Sequence, residues 1–192
     1  QMARATYHGV KRFAYPKRPF VITRSAYAGA QRYTSSWTGD NVATWEHLWI
    51  ANIQVQRLSI SGMGFTGSDI GGFAEQPTGE LYARWIQLGV FHPFCRTHSS
   101  GDHGNQEPWA FDEEVINITR KFVSLRYQLL PYLYTMFWQY IEEGVPMLKP
   151  LVYYDQDDTQ THYRNDEFIF GNQILVCPIL EPNAVGRRMY IP

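Results

Sequence analysis

The sequence predicts an α/β fold in which a unit of alternating strands and helices is followed by a part built from strands alone. Between residues 20 and 130, short apolar runs alternate three times with stretches whose apolar residues recur at helical spacing. Beyond Pro146 the apolar segments are β-rich and follow one another without a helical pattern between them. Alternation of strand and helix is typical of a parallel sheet, so we expect a parallel α/β unit with an attached β-sheet domain.

Each of the three strand–helix units starts with a short apolar run. The predicted strands are residues 20–23, 62–66 and 90–94, and the helical patterns after them span residues 45–57, 81–88 and 112–130. Asp112 is a residue type that caps helix N-termini, Pro131 should kink or divide the last helix, and Gly144 should end its second piece. A weaker helical pattern, residues 2–10, precedes the first strand.

The strand-only part predicts a second domain, with the chain divided into residues 1–145 and 146–192. Its predicted strands are residues 148–154, 168–170, 174–180 and 189–191. The acidic run from Asp155 to Asp158 is expected to be a solvated turn, because it lacks the later Gly and the closing Glu of a calcium loop. If the first part is a (β/α)8 barrel, three strands are too few to close it, so residues 1–145 would be the later part of such a barrel.

Composition favours a globular protein with a neutral ligand. The 192 residues are 44% hydrophobic and 16% aromatic, which is ample for a buried core, and the formal net charge is -1. Because Lys and Arg are spread along the chain, neither nucleic acid nor a membrane is expected as a partner. No apolar run reaches the roughly 18 residues of a membrane span. Cys95 and Cys177 are expected to be buried free thiols, which leaves the compartment open.

Charged and polar side chains follow the predicted strands, which is where barrel enzymes keep their chemistry. The residues at these positions are Arg24, Asp40 in a Gly-containing loop beside Trp37, Asp69 in a second Gly-rich loop, and His98 after the third strand. A carboxylic acid, an aromatic face and a cation that binds hydroxyls are the ingredients of a site that cleaves sugars. Asp40 is therefore the predicted catalytic residue.

The same residues also have structural interpretations. Asp40 could cap the helix that begins near Trp45, since Gly-Asp-Asn is ordinary turn chemistry. Arg24 could be held in an ion pair with Asp69 or Asp40, which is compatible with a binding role. One polar loop contains residues that could suggest a metal site, but their spacing matches no standard zinc pattern: His98, Asp102, His103 and Glu107. No metal and no cofactor is expected.

A series of short motifs extends over nearly the whole chain in a consistent order. They are Arg24-Ser25-Ala26-Tyr27-Ala28-Gly29, Gln31-Arg32-Tyr33, Trp37-Thr38-Gly39-Asp40-Asn41, Gly67-Ser68-Asp69-Ile70-Gly71-Gly72-Phe73, Arg84-Trp85 with Gly89, His92-Pro93-Phe94, Arg96-Thr97-His98, Glu107-Pro108-Trp109, Leu125-Arg126-Tyr127, Leu130-Pro131-Tyr132-Leu133-Tyr134 and Gly171-Asn172-Gln173-Ile174-Leu175-Val176. At these residues the sequence resembles glycoside hydrolase family 31, and the α-glucosidases rather than the α-xylosidases within it. The resemblance implies a (β/α)8 TIM barrel followed by a β-sandwich segment.

The resemblance also implies roles for individual residues. Asp40 is the implied general acid/base. The implied substrate-binding residues are Arg24 and His98, which hold sugar hydroxyls, Trp37 and Phe73, which wall the pocket, and Asp69, which lines the pocket and helps to set Arg24. The implied ligand is an α-glucoside or an oligosaccharide.

One departure from the family pattern concerns the nucleophile. A retaining glycosidase uses two carboxyl groups about 5 Å apart, one to attack the anomeric carbon and one to protonate the leaving oxygen. The family's nucleophilic aspartate lies upstream in a Trp-x-Asp-Met-Asn-Glu type motif, and nothing like it occurs in this sequence. The expectation is a retaining α-glucosidase that removes terminal α-linked glucose, present as a fragment that carries the acid/base but not the nucleophile and is inactive by itself.

Two other functions are open from the sequence alone. The chain could be a catalytically silent homologue that binds carbohydrate through Arg24, Trp37 and His98, or an α-xylosidase or transglycosylase of the same family. The motif His92-Pro93-Phe94 together with Gln31-Arg32-Tyr33 favours a glucosidase. The edges of an incomplete barrel would also favour self-association.

Overall fold

The computed structural model describes residues 1–192, which form helices and short strands in alternation. In chain order the elements are α1 (Met2–Phe13), α2 (Trp45–Ile60), β1 (Asp69–Ile70), α3 (Gly79–Gly89), β2 (Arg96–Thr97), α4 (Glu113–Gln128), α5 (Leu130–Glu143), β3 (Leu148–Pro150), α6 (Leu151–Tyr154), β4 (Phe168–Phe170) and β5 (Ile174–Val176). None of the helices combines the length and the apolar character that crossing a membrane requires.

Four neighbouring segments run parallel in chain order: residues 21–23, 35–38, 65–70 and 94–97. The backbone N–H of Ser35 donates to the Val21 carbonyl oxygen at 2.8 Å, and that of Thr38 donates to the Gly67 carbonyl oxygen at 3.0 Å. β1 and β2 then pair in parallel, with Asp69 opposite Arg96. Helices α2 and α3 connect the last three of these segments. Parallel segments in sequential order with helical connections are the arrangement of a (β/α)8 barrel.

The predicted strand positions in this part were shifted. Residues 20–23 form a single bridge at Ile22 rather than a strand, the segment 35–38 was missed, and the two regular strands begin at Asp69 and Arg96, beyond the apolar runs predicted to form them. The run 90–94 is apolar because most of it packs in a turn beneath the helices. Arg126 holds that turn by donating to the carbonyl oxygens of Val90, His92 and Pro93 at 2.6 to 2.9 Å.

The predicted helix ends are confirmed where a local signal marks them. Asp112 caps α4 by accepting a hydrogen bond from the backbone N–H of Val115 at 2.9 Å. Pro131 is the second residue of α5, and α4 and α5 are separated at Leu129. Gly144 ends α5 with a φ of 72°, in the left-handed region that favours glycine.

The second part is a small antiparallel sheet in the order β3-β4-β5. The prediction of residues 168–170 is confirmed, whereas 174–180 is a strand only to Val176 and 148–154 divides into β3 and the single helical turn α6. Residues 189–191 form no strand, because the backbone N–H of Tyr190 donates to the buried Glu167 carboxylate at 3.1 Å.

One hydrophobic core joins the two parts and supports the parallel segments. α3 lies at its centre, where Tyr82, Trp85 and Leu88 are fully buried. α3 packs against α4 and β1, while α2 packs against β3. Phe168 and Phe170 of β4 belong to the same buried cluster. The strand ends that carry the polar residues therefore rest on a continuous, close-packed scaffold.

Candidate active site

Asp40 lies in a tight loop directly after the segment 35–38. Gly39 has a backbone φ of 90°, which glycine adopts without the steric cost of a Cβ. The hydroxyl of Thr38 donates to the Asn41 side-chain oxygen at 2.6 Å, and the backbone N–H of Phe73 donates to the Asn41 carbonyl oxygen at 2.6 Å. These bonds fix the residues on both sides of Asp40.

Asp40 does not serve as the helix cap that its turn position allowed. The capping group of α2 is the Thr44 hydroxyl, which accepts a hydrogen bond from the backbone N–H of His47 at 3.2 Å. The Asp40 carboxylate instead lies 3.0 Å from the Arg24 guanidinium, with the two side chains 40% and 60% exposed. Asp40 is therefore an exposed acid beside a cation, with no capping role.

The expectation that Asp69 helps to set Arg24 is wrong. Arg24 pairs with Asp40, whereas Asp69 pairs with Arg96, whose Nε and Nη2 donate to Asp69 Oδ1 at 3.2 and 3.0 Å. The reason is the register of β1 and β2, which places Asp69 and Arg96 directly opposite one another. Gly67 allows this close approach, since a Cβ there would lie 1.8 Å from the Phe94 carbonyl oxygen.

Asp69 is the buried acid of the site. Its side chain has no solvent exposure, and its Oδ2 has no hydrogen-bond partner. Burial raises the pKa of Asp69, and the charge and hydrogen bonds of Arg96 act against that rise. The charges of His98 and Asp40 also act on the pKa of Asp69, the first lowering it and the second raising it. Asp69, His98 and Asp40 therefore lie within one electrostatic neighbourhood.

The predicted aromatic residues lie in two places around these acids. The ring of Trp37 has the Arg96 guanidinium over it, 5.0 Å from the ring centroid, and its buried indole N–H has no hydrogen-bond partner. The ring of Phe73 lies against His98, with centroids 5.3 Å apart and an interplanar angle of 38°. Trp37 thus adjoins the Asp69 pair, while Phe73 and His98 form a second group.

Sequence reasoning missed Arg96 as a member of this site. Two signals were available: its position after the third apolar run, which parallels the position of Arg24 after the first, and its place in the motif Arg96-Thr97-His98. Among residues 1–192, no three His, Cys, Asp or Glu side chains are arranged to hold a metal ion. The acidic turn closes on itself, since Asp155 Oδ1 accepts from the backbone N–H groups of Asp157 and Asp158 at 3.1 Å. Cys95 and Cys177 are free thiols.

Comparison with known proteins identifies the family. The family model described as the glycosyl hydrolases family 31 TIM-barrel domain matches residues 1–136, and that of the family's C-terminal domain matches residues 144–192. The chain belongs to glycosyl hydrolase family 31. These matches confirm the predicted fold, a segment of a family 31 TIM barrel followed by residues of the family's C-terminal domain.

Relatives of this family 31 chain are named α-glucosidases. It is 44% identical over 191 residues to alpha-glucosidase 2 of Bacillus thermoamyloliquefaciens, a match that covers 100% of this chain and 24% of the relative. A solved structure of glucosidase II alpha subunit bound to Glc1Man2 matches with a TM-score of 0.96 and 36% identity, covering 100% of this chain and 21% of that one. The resemblance to the α-glucosidases of family 31 is confirmed.

A third match shows a relative in a larger assembly. The crystal structure of an ER glucosidase II heterodimeric complex contains a catalytic subunit and the binding domain of a regulatory subunit, and it matches with a TM-score of 0.91 and 36% identity over 95% of this chain. This family 31 chain spans 20% of that protein and between a fifth and a quarter of the length of the other two.

Proposed function

We propose that this chain is the acid/base-carrying part of a retaining α-glucosidase that removes terminal α-linked glucose from oligosaccharides or α-glucosides. The observation that carries the proposal is the placement of Asp40. Its exposed carboxyl group lies beyond the parallel segment 35–38 and 3.0 Å from the Arg24 guanidinium, and Asp40 follows Trp37 by three positions in the sequence. Barrel enzymes place their catalytic groups at this end of the strands. The α-glucosidase names of the relatives support the substrate class.

In the first step of this reaction, Asp40 acts as the general acid. Its carboxyl proton passes to the glycosidic oxygen as the bond from that oxygen to C1 breaks and the nucleophile's carboxylate bonds to C1. In the second step, Asp40 as carboxylate takes a proton from the water that attacks C1 and releases the enzyme's carboxylate. Arg24 lies where it balances the charge that Asp40 acquires between the two steps.

We propose that the nucleophile is supplied by residues outside 1–192. Asp69 is the other carboxylate in the neighbourhood of Asp40, and it has no solvent exposure and is held by two donors of Arg96. In a retaining glycosidase the nucleophile attacks the anomeric carbon on the face opposite to the leaving oxygen, and its carboxyl group lies about 5 Å from that of the acid. A fully buried, ion-paired side chain such as that of Asp69 cannot reach the anomeric carbon. We therefore expect the 192-residue polypeptide alone not to hydrolyse α-glucosides.

The remaining predicted residues are proposed as substrate contacts. Arg24 and His98 are exposed and able to donate to sugar hydroxyls. Trp37 and Phe73 are partly buried aromatic rings that suit the apolar face of a sugar. Asp69 has no solvent exposure, and we propose that it supports the site from beneath rather than contacting the sugar. We also propose that the barrel part comprises residues 1–145 and that the β-sheet part begins at residue 146.

A chimera provides the test of this function. In alpha-glucosidase 2 of the Bacillus relative, the segment that matches over 191 residues would be replaced by this chain. We expect the purified chimera to hydrolyse an aryl α-glucoside and to discriminate against the corresponding α-xyloside, while the 192-residue protein alone is inactive. Folded chimera that binds glucose but hydrolyses neither substrate would overturn the proposal in favour of a silent carbohydrate-binding homologue.

The 192-residue polypeptide is also proposed to associate with itself. The outer parallel segments, residues 21–23 and β2, are each paired on one side only, and unpaired strand edges favour association. Next to the first of these edges lies an open groove of about 940 Å³ whose lining includes Phe20, Tyr134 and Trp138, all more than half exposed. Sedimentation velocity should show dimers or larger species at micromolar concentration. A monomer at all concentrations would contradict this.

A further inference from the structure

Arg96 connects three adjacent parallel segments through one side chain. It extends from β2, donates from Nε and Nη2 to Asp69 Oδ1 on β1, and places its guanidinium 5.0 Å from the ring centroid of Trp37 on the segment 35–38. The ring of Phe94 lies on another side of it, with its centroid 5.1 Å away.

The buried carboxylate of Asp69 depends on Arg96 for its charge compensation and hydrogen bonds. Asp69 is fully buried, and Arg96 is its only ion-pair partner in residues 1–192. A buried carboxylate is tolerated when it is paired and hydrogen-bonded, and becomes costly when the partner is removed. Because Asp69 Oδ2 has no partner, the contacts to Oδ1 alone orient this carboxylate.

The chemistry of the guanidinium suits this double contact. A planar guanidinium can donate two N–H groups in its plane while its face lies against an aromatic ring. A lysine ammonium carries the same charge but lacks both the fork and the flat face. The backbone N–H of Thr38 is held by Gly67, so the backbone beside Trp37 is already fixed and the contact with Arg96 restrains the Trp37 ring itself.

We propose that Arg96 is a positioning residue of this site: it holds the Asp69 carboxylate and the Trp37 ring together, and so fixes the pocket wall that leads into the Asp40 loop. This inference rests on the proposed function and gives Arg96 a role that the proposed function does not assign.

The test uses two signals of the 192-residue protein that need no substrate: the ¹³C carboxyl titration of Asp69 and the indole ¹H–¹⁵N signal of Trp37. The variants are Arg96→Met and Arg96→Lys. Arg84→Met is the matched control, because Arg84 is also partly buried but bonds to Gln87 and the Ala184 carbonyl oxygen, away from the site.

We expect Arg96→Met to move the Asp69 titration upward by about one pH unit or more, since an opposite charge is lost, and to displace the Trp37 signal. In Arg96→Lys the Asp69 titration should return towards the native midpoint while the Trp37 signal stays displaced. Arg84→Met should change neither signal.

Native values for both signals in Arg96→Met would overturn the proposal. If Arg96→Met does not fold, Arg96→Lys decides alone, and a native Trp37 signal there would show that the planar guanidinium is not what holds the ring. Because neither signal depends on hydrolysis, such a failure is distinct from an inactive chimera, which would contradict the proposed function instead.

Discussion

The two ion pairs of this site have the same length and opposite surroundings. Arg24 and Asp40 lie 3.0 Å apart with side chains 60% and 40% exposed, whereas Arg96 and Asp69 lie 3.0 Å apart with side chains 28% and 0% exposed. Exposed pairs contribute little to stability because water and salt screen them. A buried pair is costly to break, because removal of one partner leaves a charge without solvent. The comparison separates an exposed pair, which we propose takes part in the reaction, from a buried pair, which we propose maintains the shape of the site.

The largest effect should follow from breaking the buried pair. We expect Arg96→Met to lower the free energy of unfolding by about 3 to 5 kcal/mol, because Asp69 would be left buried and unpaired. Urea unfolding of the native protein and the variant, followed by circular dichroism, measures the difference. The double variant Arg96→Met with Asp69→Leu should recover much of the loss. A loss below about 1 kcal/mol would place this pair in the same class as exposed pairs.

A buried group with no ion partner sharpens the comparison. His92 is fully buried, both of its ring nitrogens lack partners, and burial lowers its pKa to about 3. The pKa of a histidine in the unfolded chain is near 6.5, so between pH 6.5 and about pH 3 unfolding is accompanied by uptake of a proton. The free energy of unfolding therefore falls as the pH is lowered through this range. The slope from this one group should approach about 1.4 kcal/mol per pH unit.

The variant that tests this slope is His92→Leu. It should unfold at pH 7 with a free energy within about 1 kcal/mol of the native protein, since no hydrogen bond is lost, and should show a shallower decline between pH 6 and pH 4. His103→Leu, at an exposed loop position, is the control and should keep the native slope. An unchanged slope in His92→Leu would mean that another group accounts for the acid sensitivity.

The smallest effect on stability should come from the exposed pair. Arg24→Met is expected to change the free energy of unfolding by no more than about 1 kcal/mol. In the chimera the same variant should raise KM for an aryl α-glucoside, because a donor to the sugar hydroxyls is lost. Urea unfolding and steady-state kinetics measure the two effects separately. A large loss of stability with an unchanged KM would reverse the roles assigned to the two pairs.

Local signals in the sequence predicted the helices better than the strands. Asp112, Pro131 and Gly144 mark helix ends by their own backbone and side-chain chemistry, and each lies where it was expected. Apolar content does not separate a strand from a packed turn. His92 and its neighbours are buried beneath α4 without strand pairing. The apolar run 90–94 was therefore wrongly predicted as the strand, whereas the strand itself begins at Arg96.

The same limit explains which part of the site was found. Arg24 and Asp40 lie close in sequence and were recognisable from their residue types and motifs. The pairing of Asp69 with Arg96 depends on the register of two strands 27 residues apart, which residue type alone does not determine. The residue types consequently left Asp69 and Asp40 as alternative partners of Arg24, and the structure shows Asp40. Placing the strand ends at Ile70 and Thr97 would have brought Asp69 and Arg96 together.

The central claim is that Asp40 is the general acid, and leaving-group dependence in the chimera tests it most directly. An alkyl α-glucoside needs a proton on its leaving oxygen, whereas a nitrophenyl α-glucoside leaves readily without one. We predict that Asp40→Asn lowers kcat/KM for the alkyl substrate by about 10² to 10⁴-fold and for the nitrophenyl substrate by much less. An equal loss for both substrates, or no loss for either, would contradict the assignment of Asp40.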